Sequence, residues 1–324
     1  ACQEGRPIAP PSPAATPSVG AAVASPTTAA PPVATATAAP TAAPAPSTDD
    51  ASAPGTPTEG EGVSTVQATG ETGTLPAPVA APTPEVQGVV LEPRGSRPGP
   101  VRTIALDPGH GGPEPGAVNG DLVEKDLNLA IALLLAEMLR DDGFRVVLTR
   151  DSDRAVSPAY VEAGVRSQVV LDLQARVDIA NQARADLFIS IHNNGSPDPG
   201  QRGTEVWYNN DRPFSDRNRA LAELVQEGLL RQMRLAGYES FDRGIKDDAS
   251  FRVFRGRSFN IYVLGPGDNP RRPHVPTAMP GVLGESLVLT NPDDAAALRR
   301  PEIVEAIARG YREAVVRYFE RFPE

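Results

Sequence analysis

The first 98 residues contain almost nothing that can be buried. Ala, Pro, Thr, Ser and Gly dominate them, as in APAPSTDDASAPGTPTEG, and large aliphatic or aromatic side chains are nearly absent. Such a segment cannot gain enough apolar burial to offset the entropy of ordering its backbone. Residues 1–98 are therefore expected to be a disordered tether, reaching up to ~3 Å per residue where it is polyproline-like. Whatever folds must come from residues 99–324, a length that suits one α/β domain.

From Val101 the texture changes. VRTIALD (101–107) is a β-rich run that feeds a Gly-rich loop, HGGPEPGAVNG. Residues 124–142 carry Leu127, Ile131, Leu134, Leu135, Met138 and Leu139 at helical spacing and stop at Asp142-Gly143. FRVVLT (144–149) predicts a second strand, LDLQARVDIANQARA a second helix, DLFISIH (186–192) a third strand and GTEVWY (203–208) a fourth. Amphipathic helices are expected from Ser215 to Leu235 and from Glu302 to Phe319, and the short apolar runs NIYVLG and GVLGE are expected as strands. This alternation predicts a single α/β domain of three layers, with a mostly parallel twisted sheet flanked by helices.

Composition narrows the function. The net charge is −10, and no Lys/Arg cluster interleaves with aromatic residues, which argues against nucleic acid as a partner. The single cysteine, Cys2, excludes an intrachain disulfide and a cysteine metal cluster. Ala-Cys followed by a flexible tract matches what remains around a bacterial lipoprotein cleavage site. Cys2 is therefore expected to carry a lipid that anchors the chain to a membrane outside the cytoplasm. No stretch of the sequence is apolar over transmembrane length.

In open α/β sheets functional side chains gather beyond the carboxyl ends of strands, where His110, His192 and Glu285 are expected. Zinc takes imidazole nitrogens and carboxylate oxygens in a tetrahedral set, with one position open for water at a catalytic site. His110, Glu124 and His192 would supply three such ligands. Singly, each has an ordinary explanation, since a strand-end His is commonly a bonded loop residue and a helix-start Glu complements the helix dipole.

The words around these residues carry more. LDPGHGG, EKDLNLA, TRDSD, LQARVDIAN and ADLFISIHNN occur in that order, and with them residues 101–320 resemble the zinc N-acetylmuramoyl-L-alanine amidases. The resemblance implies one zinc ion bound by His110, Glu124 and His192, with Glu285, in MPGVLGESLVLTN, as the catalytic carboxylate. It implies hydrolysis of the amide between the lactyl group of N-acetylmuramic acid and the L-Ala of a stem peptide. Peptidoglycan is then the partner, the chain is expected to be a monomer, and no regulatory protein is named by the sequence.

Some positions depart from the family's pattern. Leu287 stands where Gly or Ala is usual and Val288 where an aromatic is common, while Glu285 and Asn291 keep their places. RGIKDD (243–248) is similar to the family's Gly-hydrophobic-Lys word. Residues 155–170 and 256–278 lengthen the chain near the expected site; within the second stretch His274 is expected at the surface and Arg271 and Arg272 as a solvated pair. Asp107 is expected to orient a ligand, and Asn193 and Asn194 to hold substrate or fix the loop. Two rivals stay open: another zinc peptidase or deacylase, and a degenerate or autoinhibited domain that binds cell wall or a partner without cutting.

Overall fold

The computed structural model describes residues 86–163, 169–250, 252–254, 257–268 and 274–323. Cys2, Arg271 and Arg272 lie outside these residues. In chain order the elements begin with β1 (Val89–Leu91), β2 (Thr103–Pro108) and a small hairpin of β3 (Val118–Asn119) and β4 (Leu122–Val123). They continue with α1 (Glu124–Asp141), β5 (Arg145–Leu148), α2 (Pro158–Ala163), α3 (Val169–Gln182), β6 (Leu187–Asn194), β7 (Thr204–Tyr208) and α4 (Ser215–Leu235). Then come β8 (Asp242–Asp247), a 3-10 turn (Asp248–Ser250), the hairpin of β9 (Arg252–Phe254) and β10 (Arg257–Phe259), β11 (Gly281–Val288), α5 (Pro292–Leu298) and α6 (Pro301–Arg321).

Seven strands form one sheet in the order β1-β5-β2-β6-β11-β7-β8. The central four, β5, β2, β6 and β11, run parallel, as expected for strands joined by helical crossovers. β7 turns antiparallel to β11, β8 follows β7, and β1 closes the other edge antiparallel to β5. The expected mostly parallel sheet is present, with two antiparallel joints. β1 lies inside the stretch assigned to the tether, so folded chain extends back to Val86, which is itself buried.

Alternating side chains of each strand go to opposite faces and meet different covers. On one face Ile104, Leu106, Val146, Leu187, Ile189 and Val282 pack under α1, α4 and α6, which contribute Ile131, Leu135, Leu221, Ile307 and Tyr311. On the other, Ala105, Phe188, Leu283 and Trp207 pack against Val177 and Ala180 of α3 and against Ile261, Val263, Leu264 and Met279. The run NIYVLG, expected as a strand, therefore forms turns. Its apolar side chains cover the sheet, while the Ile261 carbonyl accepts from Leu264 and Gly265 N–H within the turn.

Among the described residues the turn segment of this cover has no backbone ladder to hold it, and side chains fasten it instead. Gln174 of α3 binds Val275 through both its carbonyl oxygen and its amide nitrogen, and Asn181 binds Pro276 O and Ala278 N. Arg212, itself buried, donates to the carbonyls of Leu264, Gly265 and Thr277. Asp248 accepts from Ile261 N–H at 3.1 Å and from Asn209. His274, expected at the surface, is half-buried with its ring stacked on Tyr262 at 4.1 Å.

Candidate metal centre and its surroundings

The polar residues of interest stand on the face covered by α3 and the turn segment, one step beyond the apolar row, toward the carboxyl ends of the parallel strands. Asp107 on β2 is opposite Ser190 on β6; His192, two residues on, is opposite Glu285 on β11, and Glu285 is opposite Glu205 on β7. Directly opposed residues share a face with Cβ atoms about 5 Å apart, so the register places these side chains in one row.

His110, Glu124 and His192 converge from three elements, each offering one ligand atom, all within 4.8 Å of one another. The Glu124 Oε1 atom lies 3.1 Å from His110 Nε2 and 3.0 Å from His192 Nδ1. Glu124 opens α1, where an acid suits the helix dipole, yet it is buried and turned to the imidazoles. Its second oxygen accepts from Ala117 N–H at 2.8 Å. Burial favours protonation of Glu124, but hydrogen bonds from His110 and His192 overcome it and hold the carboxyl well below the usual range. Burial lowers the His192 pKa, with the Glu124 bond opposing, so neutral imidazole, the ligating form, is favoured.

Two glycines allow this convergence. A Cβ on Gly109 would come within 2.1 Å of the His192 ring, and one on Gly116, at φ +68°, within 2.4 Å of Glu124 Oε2. His110 itself adopts φ 61°, sparsely populated for a residue with a side chain, so surrounding structure must hold it there.

Two buried arginines supply that hold. Arg150 donates to the carbonyls of Pro108 and Gly109 at 3.0 and 2.9 Å, and Arg176 to those of Pro108 and His110 at 2.9 and 2.6 Å. Arg176 also pairs with Asp107 and Asp172, at 2.8 and 2.9 Å. Asp107 further accepts from Thr149 and Ser190 hydroxyls. Asp107, expected to orient a ligand, thus bonds to neither histidine and acts on the His110 loop through Arg176. Burial lowers Arg150 to about 10, which leaves it charged at neutral pH. Asn193, expected to hold substrate or fix the loop, does the latter: it donates to Asn128 Oδ1 at 2.9 Å, while Asn128 Nδ2 reaches the Gly109 carbonyl.

Glu285 shares the row but not the cluster. Its Oε2 is buried without a hydrogen-bond partner among the described residues. Burial raises its pKa well above the ordinary value, Glu124 and Glu205 add to this, and Lys246 opposes it. Asn194 turns to Glu205 at 3.0 Å, and Asn291, placed correctly in the family's word, caps α5 by accepting from Asp293 and Asp294 N–H. The His110 and His192 side chains remain 25% and 17% exposed.

Sequence reasoning missed the arginine pair and the Glu205 cluster. Arginine is rarely fully buried, so Arg150 carried no such signal. The Asp172 to Arg176 spacing of four on a helix was the available clue.

Two imidazole nitrogens and a carboxylate oxygen suit a metal ion, and an unpartnered carboxylate beside them suits proton transfer in the cleavage of a stable bond. The fold and this arrangement define a hydrolase of the α/β class with a site able to hold an ion. The chain belongs to the N-acetylmuramoyl-L-alanine amidase family, whose model matches residues 104–317. It is 32% identical over 218 residues to the germination-specific N-acetylmuramoyl-L-alanine amidase of Bacillus subtilis (strain 168), covering 67% of this chain and 80% of that one. It is 29% identical over 252 residues to the amidase AmiA of Escherichia coli (strain K12), covering 71% and 81%. A solved structure of the CwlD amidase from Clostridioides difficile, in complex with the GerS lipoprotein, is similar at 28% identity and a TM-score of 0.55, covering 68% of this chain and 99% of that one. The activity is hydrolysis of peptidoglycan at the N-acetylmuramoyl-L-alanine amide.

Proposed function

We propose that the chain performs this hydrolysis with one zinc ion held by His110, Glu124 and His192, and with Glu285 carrying the proton. The observation that carries the reading is the register of Glu285 directly opposite His192, beside three ligand atoms within 4.8 Å of one another. The donor set fits zinc, because two neutral imidazoles and one carboxylate are a common three-ligand set for a catalytic ion. Such an ion, when bound, polarises a carbonyl and lowers the pKa of water toward about 7.

The remaining work belongs to the protein. Glu285 has an oxygen without a hydrogen-bond partner among the described residues, and in its ionised form it would accept a proton from the attacking water and return one to the departing L-Ala amine. Arg150 and Arg176 keep the His110 loop in its left-handed turn, so the ligand need not be reordered when substrate arrives. Action on peptidoglycan places the protein outside the cytoplasmic membrane.

The test is digestion of purified peptidoglycan by the chain with zinc or with chelator, followed by mass spectrometry. Stem peptides with a free N-terminal L-Ala are expected with zinc and not with chelator, and zinc added back restores them. Release that persists after complete metal removal defeats the zinc reading.

A further inference from the structure

The geometry points to Lys246 and Arg243 as the site that recognises a free carboxylate on the second residue of the stem peptide, an inference that rests on the amidase reading. Glu205 is buried, and its carboxylate is saturated. Its Oε1 accepts from Asn194 at 3.0 Å and Trp207 Nε1 at 3.2 Å, and its Oε2 from Arg243 Nε at 2.6 Å and from Lys246 Nζ. Two cations thus meet one carboxylate. One charge suffices to neutralise Glu205, and the second cation stands on the side of the row where Glu285 is opposite Glu205.

Both cations keep donors to spare. Arg243 engages Glu205 with one of its five N–H groups and Lys246 with one of its three, and no other hydrogen bond among the described residues draws on them. Their side chains stay 22% and 30% exposed, while the Glu205 carboxylate beneath them is closed off. A purely structural counter-ion would need only one cation, and a carboxylate that arrives from solvent would find the other.

The spacing suits a peptide laid across the strands. From β11 to β8 is two strand steps, about 10 Å, and Lys246 and Arg243 lean back over β7 to reach Glu205. An extended peptide advances about 3.5 Å per residue, so a group on the second residue lies roughly 7 Å from the scissile amide. In a stem whose second residue is glutamate joined onward through its γ-carboxyl, that group is the α-carboxylate, either free or amidated. Charge-assisted bonds distinguish the two forms, because the amide offers no charge and brings its own donors.

The experiment compares two disaccharide-peptides that differ only in whether the α-carboxyl of the second residue is free or amidated. Wild-type protein is expected to favour the free acid by roughly 10-fold to 100-fold in kcat/KM, chiefly through KM. In Lys246→Met and in Arg243→Gln the preference falls toward one, and Lys246→Arg retains it. Should removal of Lys246 alone strand Glu205 and unfold the protein, Lys246→Met combined with Glu205→Gln removes cation and carboxylate together. Equal cleavage of both substrates by the wild type, or a preference that survives both single substitutions, overturns the inference and leaves the amidase reading standing. Cleavage of neither substrate removes the amidase reading first, and the inference with it.

Discussion

The two faces of the sheet are covered by different means. On one, α1, α4 and α6 lay regular apolar stripes over Ile104, Leu106, Leu187 and Ile189, and the interior of each helix pairs its own backbone. On the other, α3 shares the work with residues 261–268 and 274–279, whose apolar side chains pack as well but whose backbone is fastened by Gln174, Asn181, Arg212 and Asp248. The polar row lies on this second face, with His192 and Glu285 opposed across neighbouring strands. The regular face supplies stability, and the irregular one frames chemistry.

If that division holds, substitutions should separate by face. The largest effect is expected for Glu285→Gln, which should lower hydrolysis by roughly 100-fold to 10,000-fold while leaving the melting temperature unchanged or raised. The reason is that Glu285 is a buried carboxyl with an unpartnered oxygen, whose charged form burial disfavours, so an amide of the same shape takes no favourable contact from the fold. Muropeptide release measured beside thermal unfolding checks this, and a large loss of stability would count against the division.

Next comes the contrast between covers. Leu135→Ala, in the middle of α1 and fully buried, should cost about 4 kcal/mol of unfolding free energy. Leu264→Ala, in the turn cover, should cost about 2 kcal/mol, because turns that lack a helix around them can close over the gap. Urea midpoints at unchanged m-value measure both, and equal losses would erase the distinction.

The smallest effect concerns pH. Burial raises the Asp248 carboxyl to about 7, against hydrogen bonds from Asn209 and Ile261 that lower it. A carboxyl raised on folding binds its proton more tightly in the native state, so its contribution to stability declines as pH climbs from about 4 through about 7. Asp248→Asn should therefore gain on the wild type between pH 6.5 and pH 8 by on the order of 1 kcal/mol, read from urea curves at the two pH values. A gap independent of pH would show that Asp248 does not titrate in that window.

Legibility in the sequence follows the same line. The helix from Ser215 to Leu235 and the strand beginning at Gly281 were readable because periodicity reports regular cover and buried strand. The trio of His110, Glu124 and His192, which could hold a metal ion, was readable because its surrounding words resemble a known family. NIYVLG was misread because a short apolar run reports burial and says nothing about whether the backbone is paired. β1 was missed because three residues, VVL, are too short a run to stand out from a Pro-rich tract. Arg150 and the clamp on Glu205 were invisible for a further reason: their partners are carbonyls and carboxylates far away in sequence, whereas Arg176 left one local trace in its spacing of four from Asp172.

Asp107 draws donors from three places at once: Thr149 after β5, Ser190 on β6 and Arg176 on α3. Mechanically this makes the loop bearing His110, the middle of the sheet and α3 a single rigid piece, with the carboxylate as its rivet.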